Sequence, residues 1–179
     1  MSITYRKLEV KDAALYRALR LECLKEFSDY FGTSYDEEAS RTKLKFEQFI
    51  EQNDRHNFML GAFYETQLIG IVGFQREERR KTRHRGEVVS ICVKTEFHGQ
   101  RIGEILLRKL LHQAFQLEGL ELIELGVVSI NQSAIKVYQR IGFKTFGIHP
   151  NYFKLQENTW DQLLMQLSRK DFESIQPQN

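Results

Sequence analysis

Apolar positions along this chain switch between a two-residue and a three-to-four-residue period, and each switch marks an element boundary. Ile3 to Glu9 alternates like a strand, and Asp12 stands where it can cap a helix with Leu15, Leu19, Cys23 and Leu24 on one stripe. Ser34-Tyr-Asp-Glu37 has the reciprocal spacing of a capping box and opens a second helix running to about Gln52. Asn57 to Tyr64 and Leu68 to Gln75 are apolar or aromatic runs joined by Glu65-Thr-Gln67, a link short enough for a hairpin.

Glu87 to Val93 is β-rich and almost continuously apolar, as in a central strand covered on both faces. Ile102, Leu106, Leu107, Leu110, Leu111 and Ala114 then recur at helical spacing up to Gly119, which suits a left-handed cap. Leu120 to Val127 reads as another buried strand, and Asn131 to Arg140 as a short helix stopped by Gly142. Phe143 to Ile148 and Thr159 to Leu167 read as the last two strands. Strands interleaved with helices predict an α/β domain with an α+β mixed sheet. No linker interrupts it, so residues 1–169 form one domain and 170–179 a frayed tail.

Composition narrows the class. The 179 residues are 41% hydrophobic and 12% aromatic, enough to build one core. Twenty-six basic residues face 24 acidic ones, a net charge of +2 that is too balanced for a dedicated nucleic-acid binder. No basic start precedes an apolar run, and no stretch of about eighteen apolar residues occurs, so a cytoplasmic protein without membrane attachment is expected. Cys23 and Cys92 lie in unrelated segments without CxxC or Cys/His spacing. Both are therefore expected to be reduced, with neither a disulfide framework nor a metal site.

The candidate chemistry begins after the central strand. His98-Gly-Gln-Arg-Ile-Gly103 follows it through a tight turn and opens a helix, an arrangement that aims unpaired backbone N–H groups at an anion. Gly99 and Gly103 allow close backbone approach, although two glycines in such a turn also serve plain steric needs. GxxxxGK[ST] is absent and GxGxxG does not fit, which removes the usual nucleoside triphosphate and dinucleotide readings. Downstream, Asn131 is placed to cap a helix on which Ala134 and Tyr138 share a face.

Taken jointly, His98-Gly-Gln-Arg-Ile-Gly103 and Asn131-x-x-Ala134-x-x-x-Tyr138-x-x-x-Gly142-Phe143 resemble the GCN5-related N-acetyltransferases. The resemblance implies an acyl-CoA N-acyltransferase fold with a central mixed sheet, flanking helices and a splayed pair of parallel strands. It implies acetyl-CoA between Glu87–Val93 and 120–127, its pantetheine arm along Ile91, Cys92 and Val93. Its phosphates would lie on His98, Gly99, Gln100, Arg101, Ile102, Gly103 and Glu104, with Asn131, Ala134 and Tyr138 completing the site. The chain departs from the family turn at two places: His98 stands where Arg or Gln is usual, and Arg101 where the fourth position is usually Gly.

Tyr138 is the candidate acid for the departing thiolate, since a phenol of reference pKa about 10 can donate to a sulfur of about 8.5. Glu87 is the candidate base, directly or through water, and on a regular strand it shares a face with Val89, Ile91 and Val93. Cys92 has no histidine partner that would make it a nucleophile. Resemblance puts the acceptor, a small-molecule or peptide amine, near Tyr30, Phe31, Tyr35 and Tyr152. Asp29, Asp36, Glu37 and Glu38 beside those rings would draw a cation. Two rival readings are an acyl-CoA sensor or partner-binding scaffold without turnover, and a nucleic-acid module built on Arg76, Arg79, Arg80, Lys81, Arg83 and Arg85. Monomer and homodimer both stay open.

Overall fold

The computed structural model describes residues 2–175. Among these, seven strands form one sheet in the order β1-β2-β3-β4-β5-β7-β6. They are β1 (Ile3–Lys7), β2 (Asn57–Tyr64), β3 (Gln67–Arg76), β4 (Arg85–Val93), β5 (Leu122–Val128), β6 (Lys144–Leu155) and β7 (Asn158–Ser168). Only β4 and β5 run parallel; every other neighbouring pair is antiparallel. The run Glu87 to Val93 thus lies in the middle strand of the order, with core on both faces, as its continuous apolar pattern requires.

One face is covered by α4 (Ile102–Ala114) and α5 (Gln132–Ile141), whose Ile102, Leu106, Leu107, Leu110, Ile135 and Ile141 pack on Phe58, Phe74, Val88 and Ile123. The other face is covered by α1 (Ala13–Glu26) and α3 (Lys45–Glu51), where Tyr16, Leu19, Phe46 and Ile50 pack on Met59, Phe63 and Ile71. Core assignments therefore follow the period of each element, with one change on α1. Leu15 is exposed, and the buried stripe is Tyr16, Leu19, Arg20, Cys23 and Leu24.

Several local expectations shift for identifiable reasons. Asp12 makes no side-chain cap on α1, because Arg6 holds its carboxylate through bonds of 2.6 and 2.9 Å and the Glu9 N–H donates to it at 2.8 Å. The second helix is two pieces: α2 (Tyr35–Ala39), opened by the expected Ser34–Glu37 box, and α3. Between them Arg17 donates to the carbonyls of Arg41 and Thr42, and Leu44 is fully buried, so side-chain and core contacts replace helical ones. Helix α4 stops at Ala114, and Gly119 takes its left-handed conformation (φ 69°) in the turn that follows. The stretch expected to fray is helical through α6 (Arg169–Ile175), whose Phe172 is buried against Phe115 and His112; residues 176–179 lie outside the described residues.

The cysteines require a correction. Cys23 on α1 and Cys92 on β4 are joined as a disulfide, with Cα atoms 6.4 Å apart. They are 69 residues apart in sequence, and only the packing of α1 across β4 brings them together. Among the described residues no helix is long and apolar enough to cross a membrane.

Candidate active site

The middle of the sheet is split. β4 and β5 pair only at Arg85–Leu122, Gly86–Ile123 and Glu87–Glu124. Beyond Glu87 the two strands diverge: β5 continues against β7 and β4 against β3. Among the described residues no strand pairs the β5-facing edge of Val88 to Val93, leaving backbone donors and acceptors directed into a gap. That gap widens into a cleft of about 1020 Å³.

A bulge alters which side chains face which side of β4. Gly73 pairs with Val89 and Ile71 with Cys92, so two steps on β3 oppose three on β4, and Ser90 adopts φ 56°. The extra residue reverses the alternation. Val89 and Cys92 pack toward α1, whereas Val88, Ile91 and Val93 pack toward α4. The expectation that Glu87 shares a face with Val89, Ile91 and Val93 therefore holds only for Val89.

At one end of the cleft lies the His98–Gly103 turn. Gly99 (φ 78°) and Arg101 (φ 59°) are both left-handed, and a Cβ on Gly99 would meet nothing within 4 Å. Arg101 therefore occupies the conformation that a glycine at this position would take freely, at a cost of roughly 1–2 kcal/mol for an L-residue. Helix α4 starts there without any side-chain cap, so its first N–H groups open on the cleft. These features suit a pyrophosphate: uncapped donors, the positive end of a helix dipole and open space above a glycine.

The side chains around the turn do different work. The Nε2–H of His98 donates to the Val93 carbonyl at 2.8 Å while the ring stacks on Phe27 at 5.6 Å. That bond commits Nε2 to the backbone and leaves only Nδ1 free to meet a ligand. Glu104 is buried and meets Arg101 and Arg108 at 3.2 Å and Arg140 at 3.4 Å. Burial alone would raise its pKa, but the arginines outweigh burial and hold the carboxyl below its ordinary value.

Along the cleft the second motif takes the predicted form. Asn131 accepts from the Ala134 N–H at 3.1 Å, and Gly142 ends α5 with φ 113°. Four residues beyond Ala134, Tyr138 is buried beside Phe143 and lines the cleft. Among the described residues nothing hydrogen-bonds its hydroxyl, and burial pushes its pKa well up, so it stays a protonated donor. Glu87 lines the same cleft from β4. Burial of its carboxyl raises its pKa; Lys45 opposes this, and Glu124 and Glu77 reinforce it. Glu87 as a whole is exposed and lines the open cleft, so solvent weakens the shift.

Phe27, Tyr30 and Phe31 from the segment after α1 and Tyr152 and Phe153 from β6 form aromatic walls of the cleft. Gly32 lets these walls meet, since a Cβ there would stand 2.9 Å from the Phe153 ring. Of the expected site residues, Ile91, Cys92, Val93, His98, Gly99, Arg101, Ile102, Gly103, Glu104, Asn131, Ala134, Tyr138, Glu87, Tyr30, Phe31 and Tyr152 line this one cleft. Gln100 and Tyr35 are outside its lining, and so are Asp29, Asp36, Glu37 and Glu38. The sequence reading missed Arg20, Arg140 and Gln162. Arg20 had a signal, its place on the buried stripe of α1; Gln162 had none, since only the fold lays it across Gly126.

The basic loop is partly committed elsewhere. Arg76 is buried and donates to the carbonyls of Arg83 and Glu118 at 2.7 and 2.6 Å, and Arg85 pairs with Glu124. Two of the six cations of the nucleic-acid reading thus hold the fold together.

Comparison with known proteins agrees with this geometry. A structure described as an acetyltransferase of the GNAT family from Streptococcus pneumoniae superposes with TM-score 0.80 at 24% identity, covering 93% of this chain and 99% of that one. A candidate acetyltransferase from Salmonella typhimurium, solved with its cofactor acetyl-CoA, gives 0.74 at 18% identity, with 94% of each chain covered. Both show the shared fold. In sequence, the chain is 32% identical over 100 residues to the N-alpha-acetyltransferase RimI of Mycobacterium tuberculosis, covering 56% of this chain and 60% of that protein. It is 30% identical over 99 residues to mycothiol acetyltransferase of Salinispora tropica, covering 55% of this chain and 32% of that protein. The matches thus span about a third to three-fifths of those relatives' lengths. The Acetyltransferase (GNAT) family model matches residues 20–143, from the middle of α1 through the end of the Tyr138 motif, and the chain belongs to that family.

Proposed function

We propose that the protein transfers an acetyl group from acetyl-CoA to an amine by direct attack within a ternary complex. The observation that carries this reading is that an uncapped helix N-terminus, an unpaired strand edge and a largely buried tyrosine all line one cleft. The names of the matched relatives, both acetyltransferases, point the same way. Acetyl-CoA would supply the thioester carbonyl and the sulfur leaving group.

The chain's own groups then divide the work. The first turn of α4 holds the pyrophosphate through backbone N–H groups, and the free edge at Ile91 to Val93 pairs the pantetheine amides. The Val93 carbonyl is already engaged by His98, so the remaining edge groups carry that pairing. Backbone N–H groups near Val93 polarise the carbonyl as negative charge develops, an oxyanion-type contribution. Glu87 accepts the amine proton, directly or through water, and its raised pKa brings it nearer to neutral pH. Tyr138 donates to the sulfur as it leaves. Burial makes the phenol a weaker acid, so its main contribution is a hydrogen bond that strengthens as the thiolate forms.

Thermal denaturation with acetyl-CoA, followed by steady-state kinetics, tests this. Ligand at about a hundred times its Kd stabilises by about 2.7 kcal/mol, a rise of several degrees in Tm. Tyr138→Phe is expected to lower kcat about a hundredfold with acetyl-CoA affinity unchanged. No stabilisation at millimolar acetyl-CoA overturns the reading.

A further inference from the structure

Arg20 has no counterpart in the chemistry above. It follows Tyr16 and precedes Leu24 at four-residue intervals, so it shares their inward face of α1 and is only 7% exposed. Its Nη1 is shut off from solvent and meets no hydrogen-bond partner, and no carboxylate among the described residues lies within ion-pair distance. Tyr16 and Glu38 act on it electrostatically, and the Phe31 ring lies 4.7 Å from the guanidinium carbon. An aromatic face offsets part of the cost of burying a cation, and a buried unpaired charge remains destabilising. Arg20 lines the aromatic end of the cleft together with Phe27, Tyr30, Phe31, Tyr152 and Phe153.

We propose that Arg20 receives a carboxylate on the acceptor, which makes the acceptor a compact amine that also bears an acid group. This rests on the acetyltransferase reading and names its substrate class. A guanidinium presents a planar fork of donors that matches a carboxylate's two oxygens, and in a desolvated site that pairing is strong. The acidic side chains expected to attract a purely cationic amine lie outside the cleft lining, whereas the Arg20 guanidinium belongs to it. Losing the carboxylate would leave Arg20 unpaired again, so discrimination against neutral analogues should be steep.

The test uses the full chain with acetyl-CoA and two matched panels: the twenty proteinogenic amino acids and their carboxamides. The expected result is a best acceptor with a free carboxylate whose carboxamide has kcat/KM lower by about a hundredfold or more. Arg20→Met should shrink that ratio to a few-fold, leave the KM for acetyl-CoA unchanged, and leave Tm equal or higher because a buried unpaired charge is gone. Arg20→Lys should recover part of the ratio. Carboxamides used as well as acids, or a ratio that survives Arg20→Met, would each overturn the proposal. A lower Tm with unchanged selectivity would mark Arg20 as purely structural and overturn it too. Calorimetric titration of the same acids without acetyl-CoA separates the two readings: binding heat lost in Arg20→Met supports the assignment even where acetyl transfer fails, and no heat in either protein overturns it.

Discussion

Glu87 and Arg101 carry conformational or electrostatic costs that can be measured singly. The folded state raises the Glu87 pKa, so the folded protein binds this proton more tightly than the unfolded chain. That contribution is full below the unfolded pKa and is lost as pH rises through the folded one. Glu87→Gln should therefore raise Tm at neutral pH and leave it unchanged near pH 4, while removing one limb of the pH–rate profile; denaturation scans and kinetics across pH check both. Arg101 sits at positive φ, and its ion pair with Glu104 is largely exposed on the arginine side. Since such a pair contributes about 0–1 kcal/mol, Arg101→Gly should stabilise by up to about 1 kcal/mol in urea titrations. The sequence made this position visible, because a family turn that usually holds glycine signals a left-handed residue. The engagement of His98 with Val93 was not visible, since it depends on where the strand ends relative to the turn.

At the level of elements, local hydrogen bonding was what the sequence could reveal. The Ser34–Glu37 box and the Asn131 and Gly142 caps each close within a few residues and form as read, and the hairpin link read as Glu65-Thr-Gln67 is one residue shorter because Gln67 pairs with Tyr64. Asn131→Ala should cost about 1 kcal/mol of stability, with urea denaturation as the readout, because the Ala134 N–H then loses its acceptor. Where tertiary packing outweighed local preference, the reading failed: Leu15 gave way to Tyr16, and the second helix broke where Arg17 and the core claimed its backbone and Leu44. The reversal of faces in β4 was also hidden, because a period of two carries no mark of an added residue.

For the whole molecule, the sheet and the cleft at its split follow from elements that were legible, whereas long-range links were not. Nothing near Cys23 or Cys92 announces a bond that spans 69 residues. A cross-link over such a loop restricts the unfolded chain by about 2–4 kcal/mol in the entropic account. A reductant should accordingly lower the Tm of the native protein and leave a Cys23→Ala/Cys92→Ala double variant unaffected. A native protein indifferent to reductant would show that the two thiols are free in solution. The bond also runs from the helix bearing Arg20 to the strand whose free edge lines the cleft, so loosening it should be felt at both ends.

The added residue at Ser90 makes the cleft a matter of arithmetic. Val88 before the bulge and Ile91 and Val93 after it reach the α4 core only because the added residue makes odd separations from Val88 fall on one face. Many side chains could fill those positions, but deleting one residue there would restore strict alternation and send everything beyond it to the wrong layer. Along this stretch, then, length is under tighter constraint than identity, and tolerance to substitution should coexist with intolerance to insertion or deletion.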